Sequence, residues 1–149
     1  MRCDALMRRP VLCTSLEDNV SNAARRMRDS NVGFLPVCDA DGRAIGILTD
    51  RDIAVRVCAE ALSGDTHVVS IMTQGVISCA PEDDVSWAAA LMASERKSRI
   101  LILDAHEHPV GVISLADLAQ HDPRGAAFAV RDVSAREVLS QRGERQGRP

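Results

Sequence analysis

A chain of 149 residues, 46% of them apolar and 26% charged, can form one ordinary domain or two small halves that share a core. Its formal charge of −3 gives no general attraction to a phosphate backbone, and an aromatic content of 2% leaves few side chains on which bases could stack. Composition and charge therefore argue against nucleic acid as a partner.

The five cysteines are scattered and form no metal or redox motif. No two of them lie closer than ten residues, so the chain contains no Cys-x-x-Cys pair. Isolated cysteines among Val and Leu are typical of small buried hydrophobic residues. No apolar run has the length of a signal peptide or of a membrane span. The sequence predicts a cytoplasmic protein with reduced thiols and no membrane partner.

The first predicted elements are an extended piece and an amphipathic helix. Residues 11–14 are expected to be extended, and Ser15 is the predicted N-cap of the helix, with Asp18 as the acidic residue three positions later. Asn31 is expected to end the helix. Its predicted buried stripe consists of apolar residues at helical spacing, namely Val20, Ala23, Ala24 and Met27.

A strand hairpin and a second helix are predicted next. Residues 34–38 form a continuous apolar strand, and Pro36, which lacks an amide donor, indicates an edge position or the first paired position. A turn at 39–42 leads into a strand over 44–48. Thr49 is then the predicted N-cap of a helix that continues toward Leu62, with Asp52 completing a capping box.

The second half of the chain repeats this order 65 residues later and without a gap. The repeat is clearest at the strand-to-helix junction, where Gly46, Thr49 and Asp52 correspond to Gly111, Ser114 and Asp117. One such unit cannot bury both faces of its sheet, so the two copies are expected to pack together. Beyond the repeat, residues 126–139 are predicted to form a short helix with a capping box from Ser134 to Glu137, and 141–149 a frayed end.

These motifs resemble the CBS domain. They are Leu-Pro-Val-x-Asp-x-Asp-Gly at 35–42 and Gly-h-h-[ST]-x-x-Asp, where h is apolar, at 46–52 and 111–117. The tandem resembles a stand-alone CBS pair, or Bateman module, over about residues 7–120. The resemblance implies an α+β fold of two tandem β-α-β-β-α motifs packed with pseudo-two-fold symmetry. Motif 1 would span 1–63 and motif 2 would span 66–122, with a tail at 123–149.

The resemblance also implies a ligand: AMP, ADP or ATP, and less commonly S-adenosylmethionine, bound in the cleft between the motifs. Asp52 and Asp117 would accept hydrogen bonds from ribose hydroxyls, and Thr49 and Ser114 would contact phosphate or ribose oxygens. The chemistry of the residues agrees, because free helix N–H groups suit phosphate and a carboxylate suits a vicinal diol. Two extended pieces would flank the adenine: Val11, Leu12 and Cys13 in one, and Val76, Ile77 and Ser78 in the other.

Two arginines are expected to make the sites unequal. Arg51 stands in the first turn of its helix, where it could meet phosphate oxygens, whereas its counterpart is Ala116. Arg99 precedes a predicted strand and could serve either site, whereas its counterpart is Phe34.

A structural alternative stands beside the binding interpretation. Both Thr-x-x-Asp and Ser-x-x-Asp are ordinary capping boxes, so the chain could be a nucleotide-free dimerisation or interaction module. His106 and His108 are interpreted as a solvated turn in preference to a metal site. No nucleophile motif or phosphate loop is present, which argues against an enzyme. The sequence thus predicts a regulatory module without a required cofactor, a homodimer formed through residues 50–62 and 115–120, and an effector protein of unknown identity.

Overall fold

The computed structural model describes the backbone of residues 1–145 and the side chains of residues 1–135. The chain forms two compact units. The Asp52 unit contains residues 11–76 and 105–109, and the Asp117 unit contains residues 1–10, 77–104 and the described residues from Val110 to Arg145. Each unit has its own sheet and helices, which confirms the predicted α+β class.

The elements follow one another in a fixed order. They are α1 (Cys3–Leu6), β1 (Thr14–Ser15), α2 (Val20–Ser30), β2 (Phe34–Cys38), β3 (Ala44–Thr49), α3 (Asp50–Ile53), β4 (Thr73–Gln74), β5 (Ser78–Cys79), α4 (Val85–Glu95), β6 (Arg99–Leu103), β7 (Pro109–Ser114), α5 (Leu115–His121) and α6 (Pro123–Arg145). A π-helical segment (Ala54–Cys58) follows α3, and a 3₁₀ turn (Val68–Ser70) precedes β4. Over the described part of the chain, no helix combines the length and apolarity that crossing a bilayer requires.

The sheet of the Asp52 unit has the strand order β1-β2-β3-β4. The edge position predicted for Pro36 is wrong, because β2 lies between β1 and β3. The parallel partner β1 pairs only with Val37 and Cys38, so its short ladder begins one residue beyond Pro36. A proline without an amide donor is therefore tolerated in an interior strand, where it is fully buried.

Helix α2 begins later than predicted. Ser15 is not its N-cap, because Ser15 is the second residue of β1 and pairs with Cys38. The N-cap is Asn19, whose side chain accepts a hydrogen bond of 2.9 Å from the amide of Asn22. The helix ends at Asn31 in the left-handed conformation (φ 52°), as predicted. Of its predicted stripe, Val20, Ala23 and Met27 are buried in the core of this unit.

The helix after β3 is shorter than predicted. It has four α-helical residues and then changes to the wider π-helical hydrogen-bond pattern, which ends at Cys58 and not near Leu62. Val57 in the π-helical segment is buried in the core, whereas Val55 and Leu62 are about half exposed.

In the Asp117 unit, residues from the chain start pack against strand β7. Arg8 and Val112 exchange backbone hydrogen bonds of 2.9 and 3.2 Å. Met7 lies directly over Gly111, where any Cβ atom would overlap its side chain. The predicted motif limits of 1–63 and 66–122 follow the sequence repeat, whereas the compact units assign residues 1–10 to the Asp117 unit.

Helix α6 packs on α4 and α5. It begins at Pro123, a residue suited to the first helical position, and runs to Arg145, so it is longer than the predicted helix over 126–139. Ser134 therefore lies inside this helix and does not cap its start. Residues 141–145, predicted to be frayed, belong to α6, and 146–149 lie outside the described residues.

Candidate functional site

The first strand-to-helix junction joins β3 to α3 in the Asp52 unit. The amide of Asp52 donates to Thr49 Oγ1 (3.1 Å), and the amide of Thr49 donates to Asp52 Oδ2 (2.9 Å), which forms the predicted capping box. The other carboxylate oxygen, Asp52 Oδ1, lies 3.9 Å from Arg56 Nε, beyond hydrogen-bond distance. The Asp52 side chain is 14% exposed. One oxygen of this carboxylate therefore keeps acceptor capacity for a ligand.

Arg56 is a candidate residue that the sequence reasoning missed. It lies one helical turn after Asp52, and its Nη1 donates to the carbonyl oxygens of Ile71 (2.9 Å) and Met72 (3.3 Å). These bonds hold a cation beside the carboxylate. The spacing of four residues between acid and base was the signal that could have identified it. Arg51, the predicted phosphate contact, is exposed in the first turn, and its amide donates to Asp50 Oδ1 (2.8 Å).

The first predicted adenine-flanking piece precedes β1 in the Asp52 unit. Arg26 Nη1 donates to the carbonyl of Cys13 (2.7 Å), and the Cys13 thiol points to the carbonyl of Val11 (3.8 Å). Burial, followed by the proximity of Cys38, raises the pKa of the Cys13 thiol to about 12. Leu12 is 37% exposed, so an apolar side chain is available at this surface.

The second predicted flanking piece is divided between the two units. Val76 belongs to the Asp52 unit, whereas Ile77 and Ser78 belong to the Asp117 unit, where Ser78 pairs with Leu101 in parallel strands. Arg99 is the exposed first residue of β6. The contacts of these residues with an adenine or a phosphate stay predictions.

The second strand-to-helix junction joins β7 to α5 in the Asp117 unit. It has the same capping box: the amide of Asp117 donates to Ser114 Oγ (3.2 Å), and the amide of Ser114 donates to Asp117 Oδ2 (2.9 Å). The Ser114 hydroxyl also bonds to Asp117 Oδ2 (2.6 Å). Arg8 Nε donates to the other oxygen, Oδ1, at 2.5 Å.

The pKa of Asp117 depends on the burial of its carboxyl and on these hydrogen bonds. Burial by itself raises the pKa of its carboxyl, but the hydrogen bonds from Ser114 and the hydrogen bond and charge of Arg8 lower the pKa by more. The net result is a pKa below the ordinary value for an aspartate, so the side chain is a carboxylate at neutral pH although only 6% of it is exposed.

The histidines considered for a metal lie on the hairpin turn at 105–109. The rings of His106 and His108 are 6.0 Å apart, and His108 Nε2 lies 2.9 Å from the carbonyl oxygen of Asp41. Among the residues whose side chains are described, no group of three His, Cys, Asp or Glu side chains is arranged to hold a metal ion.

The chain is similar to known proteins over most of its length. The family model of the CBS domain matches residues 3–58 and 68–123. The CBS domain-containing protein YhcV of Bacillus subtilis (strain 168) is 34% identical over 130 residues, which cover 86% of this chain and 91% of that protein.

Two solved structures share the fold. The CBS domain protein PAE2072 from Pyrobaculum aerophilum, complexed with AMP, has a TM-score of 0.75 and 21% identity, with 91% of this chain and 99% of that chain covered. The CBS domain pair of protein MJ0100, in complex with 5′-methylthioadenosine and S-adenosyl-L-methionine, has a TM-score of 0.73 and 23% identity, with 80% of this chain and 94% of that chain covered.

Proposed function

The chain belongs to the CBS-domain family, and from this premise we propose that it is a non-catalytic regulatory module that binds an adenine nucleotide through Asp52. The observation that carries the proposal is that Asp52 Oδ1 accepts no hydrogen bond from the described residues, since its ion-pair partner Arg56 lies 3.9 Å away. A carboxylate oxygen accepts hydrogen bonds from hydroxyl groups, and the vicinal hydroxyls of a ribose can use such an acceptor.

The surroundings of Asp52 support the same ligand. Arg56 is held beside the carboxylate by two backbone carbonyls, so a cation is available where a ligand phosphate could lie. Arg51 in the neighbouring turn is exposed and adds a second guanidinium. Thr49 supplies a hydroxyl at the end of the strand, although this oxygen already accepts the cap bond.

The solved structures of similar fold support an adenosine ligand. One is complexed with AMP, and the other with 5′-methylthioadenosine and S-adenosyl-L-methionine. These three molecules share an adenine and a ribose with two adjacent hydroxyls, whereas only AMP has a phosphate. The ribose diol is therefore the group that Asp52 is most directly expected to bind. The candidate ligands are AMP, ADP, ATP and S-adenosylmethionine.

The ligand would regulate by changing the populations of alternative conformations of the protein. A ligand that binds one arrangement of the protein more tightly than another favours that arrangement. The output would pass through a homodimer and an effector protein, which the ligand-bound arrangement would engage or release.

The test is isothermal titration of protein freed of bound ligand with AMP, ADP, ATP and S-adenosylmethionine in turn. Asp52→Ala removes a charged acceptor worth about 1.5–3 kcal/mol, so the best ligand should lose about 10- to 150-fold in affinity. The matched control is Asp50→Ala, which removes the same charge at an exposed neighbouring carboxylate that lies against Gly33. This control should retain the affinity of the wild type.

The alternative module, without a nucleotide, makes a different prediction. If Asp52 only caps a helix, Asp52→Ala lowers the free energy of unfolding by about 1 kcal/mol and changes no binding. The absence of heat and of a thermal shift with all four ligands would overturn the proposal in favour of this alternative.

A further inference from the structure

The carboxylates of Asp52 and Asp117 differ in how many hydrogen bonds they accept from the protein itself. Among the described residues, the Asp52 carboxylate receives one hydrogen bond, from the Thr49 amide, and its ion-pair partner Arg56 stays 3.9 Å away. Asp117 receives three: two on Oδ2 from the amide and hydroxyl of Ser114, and one on Oδ1 from Arg8. The exposed fraction of the side chain falls from 14% at Asp52 to 6% at Asp117. Little of the second carboxylate is left for a ligand.

Arg8 is the component that the repeat does not share. The residue 65 positions later is Thr73, which pairs with β3 as Arg8 pairs with β7 but has no charge. Met7 over Gly111 and the two backbone bonds to Val112 hold Arg8 next to Asp117. The strand pairing thus places the Arg8 backbone beside Asp117, and the bond from Nε to Asp117 Oδ1 positions the guanidinium.

We propose that Arg8 is a specificity-determining residue that occupies the diol-binding carboxylate of the second junction, so that the chain binds adenine nucleotide at Asp52 only. The inference rests on the proposed function, because it assumes that the Asp52 carboxylate binds a ribose through Oδ1. A ribose hydroxyl that replaced Arg8 would leave the carboxylate of Asp117, which is 6% exposed, without its positively charged partner. Because removing one partner of a largely buried ion pair is costly, the neutral hydroxyls of a ribose do not displace the guanidinium.

The side chain of Arg8 is 69% exposed, so most of it lies outside the core. Its removal leaves no cavity in the core, and Asp117 retains both bonds from Ser114. Variants at this position should therefore fold. The opened carboxylate would then offer the same kind of acceptor oxygen as Asp52.

The experiment measures the number of AMP molecules bound per chain by isothermal titration. The wild type is expected to bind about one AMP, and Arg8→Ala about two, because the second carboxylate becomes available. Arg8→Met, which keeps the aliphatic stem, should behave as Arg8→Ala. Arg9→Ala is the matched control, since it removes an exposed arginine one residue away, and it should still bind about one. Adding Asp117→Ala to Arg8→Ala should restore the wild-type number.

Two results would overturn the inference while leaving the proposed function intact. One is binding of two AMP molecules to the wild type. The other is an unchanged number of sites in both Arg8 variants. If that single site also binds AMP more weakly than in the wild type, Arg8 is a ligand contact. If no protein binds AMP, the titration is repeated with ADP, ATP and S-adenosylmethionine; the absence of binding with all four ligands makes the proposed function fail as well, and that outcome is distinct from both.

Discussion

The contact between Met7 and Gly111 provides a quantitative test of how the start of the chain packs. In the structure, a Cβ atom at position 111 would overlap Met7 Sδ and would lie 2.6 Å from its Cγ and 2.8 Å from its Cβ. Gly111 does not have a positive φ, so the backbone itself would accept alanine. The whole effect of Gly111→Ala on folding should therefore come from this overlap.

Overpacking of this kind costs about 1–3 kcal/mol. The replacement of glycine by alanine also stiffens the unfolded chain, which offsets about 0.4–1 kcal/mol. From the middle of these two ranges, the net loss in the free energy of unfolding should be about 1.3 kcal/mol, which at about 2–4 °C per kcal/mol lowers Tm by about 3–5 °C in a chain of this size. Urea denaturation should show a lower midpoint with an unchanged m-value.

A double-mutant cycle identifies the cause. Met7→Ala removes two of the three overlapping atoms, so the combination with Gly111→Ala should be more stable than the sum of the single effects by about 1 kcal/mol. The matched pair is Gly46→Ala with Met72→Ala. There a Cβ atom would also lie 2.8 Å from the carbonyl oxygen of Thr73, which side-chain truncation cannot move, so rescue should be smaller. A cost below about 0.5 kcal/mol for Gly111→Ala, or additive effects in the cycle with Met7, would refute the reasoning.

Three further predictions concern single residues. Asn19→Ala should cost about 1 kcal/mol in urea denaturation and Ser15→Ala less than about 0.5, because Asn19 caps α2; the reverse order would contradict the assignment. The lowered pKa of Asp117 stabilises the fold above its unfolded-state pKa of about 3.9, and this stability is lost as pH falls through the folded-state value. Asp117→Asn should therefore lose less stability than the wild type between pH 6 and pH 2 by thermal denaturation, and equal losses would contradict this. At neutral pH, iodoacetamide should label the exposed Cys58 before Cys79, whose pKa is raised to about 12 mainly by burial; equal labelling by peptide mass spectrometry would contradict the burial.

The sequence predicted best those features that repeat and that depend on neighbouring residues. The capping boxes at Thr49 and Ser114 could be predicted because cap and acid lie three residues apart and the pattern occurs twice. Strand β2 was predicted over the same residues that the structure shows, Phe34–Cys38, because its apolar run is continuous.

The features that the sequence could not predict depend on contacts between distant residues. Two residues suited to cap α2, Ser15 and Asn19, lie close together, and the pairing of Ser15 with Cys38 decides between them. The contact of Arg8 with Asp117 spans 109 residues, and no local pattern encodes it. A signal was nevertheless present in the repeat, since Met7 corresponds to Met72, and each methionine packs on the glycine of a corresponding strand.

Recognition of a ribose diol by Asp52 is tested most directly by changing the diol and the carboxylate together. The affinities of AMP and of its 2′,3′-dideoxy analogue should be measured by isothermal titration for the wild type and for Asp52→Ala. The wild type is predicted to prefer AMP by about tenfold or more, since hydrogen bonds to a charged group are worth about 1.5–3 kcal/mol, and Asp52→Ala should bind the two equally. The same preference in both proteins, or equal affinities of the wild type for AMP and the dideoxy analogue, would contradict the proposed role of Asp52.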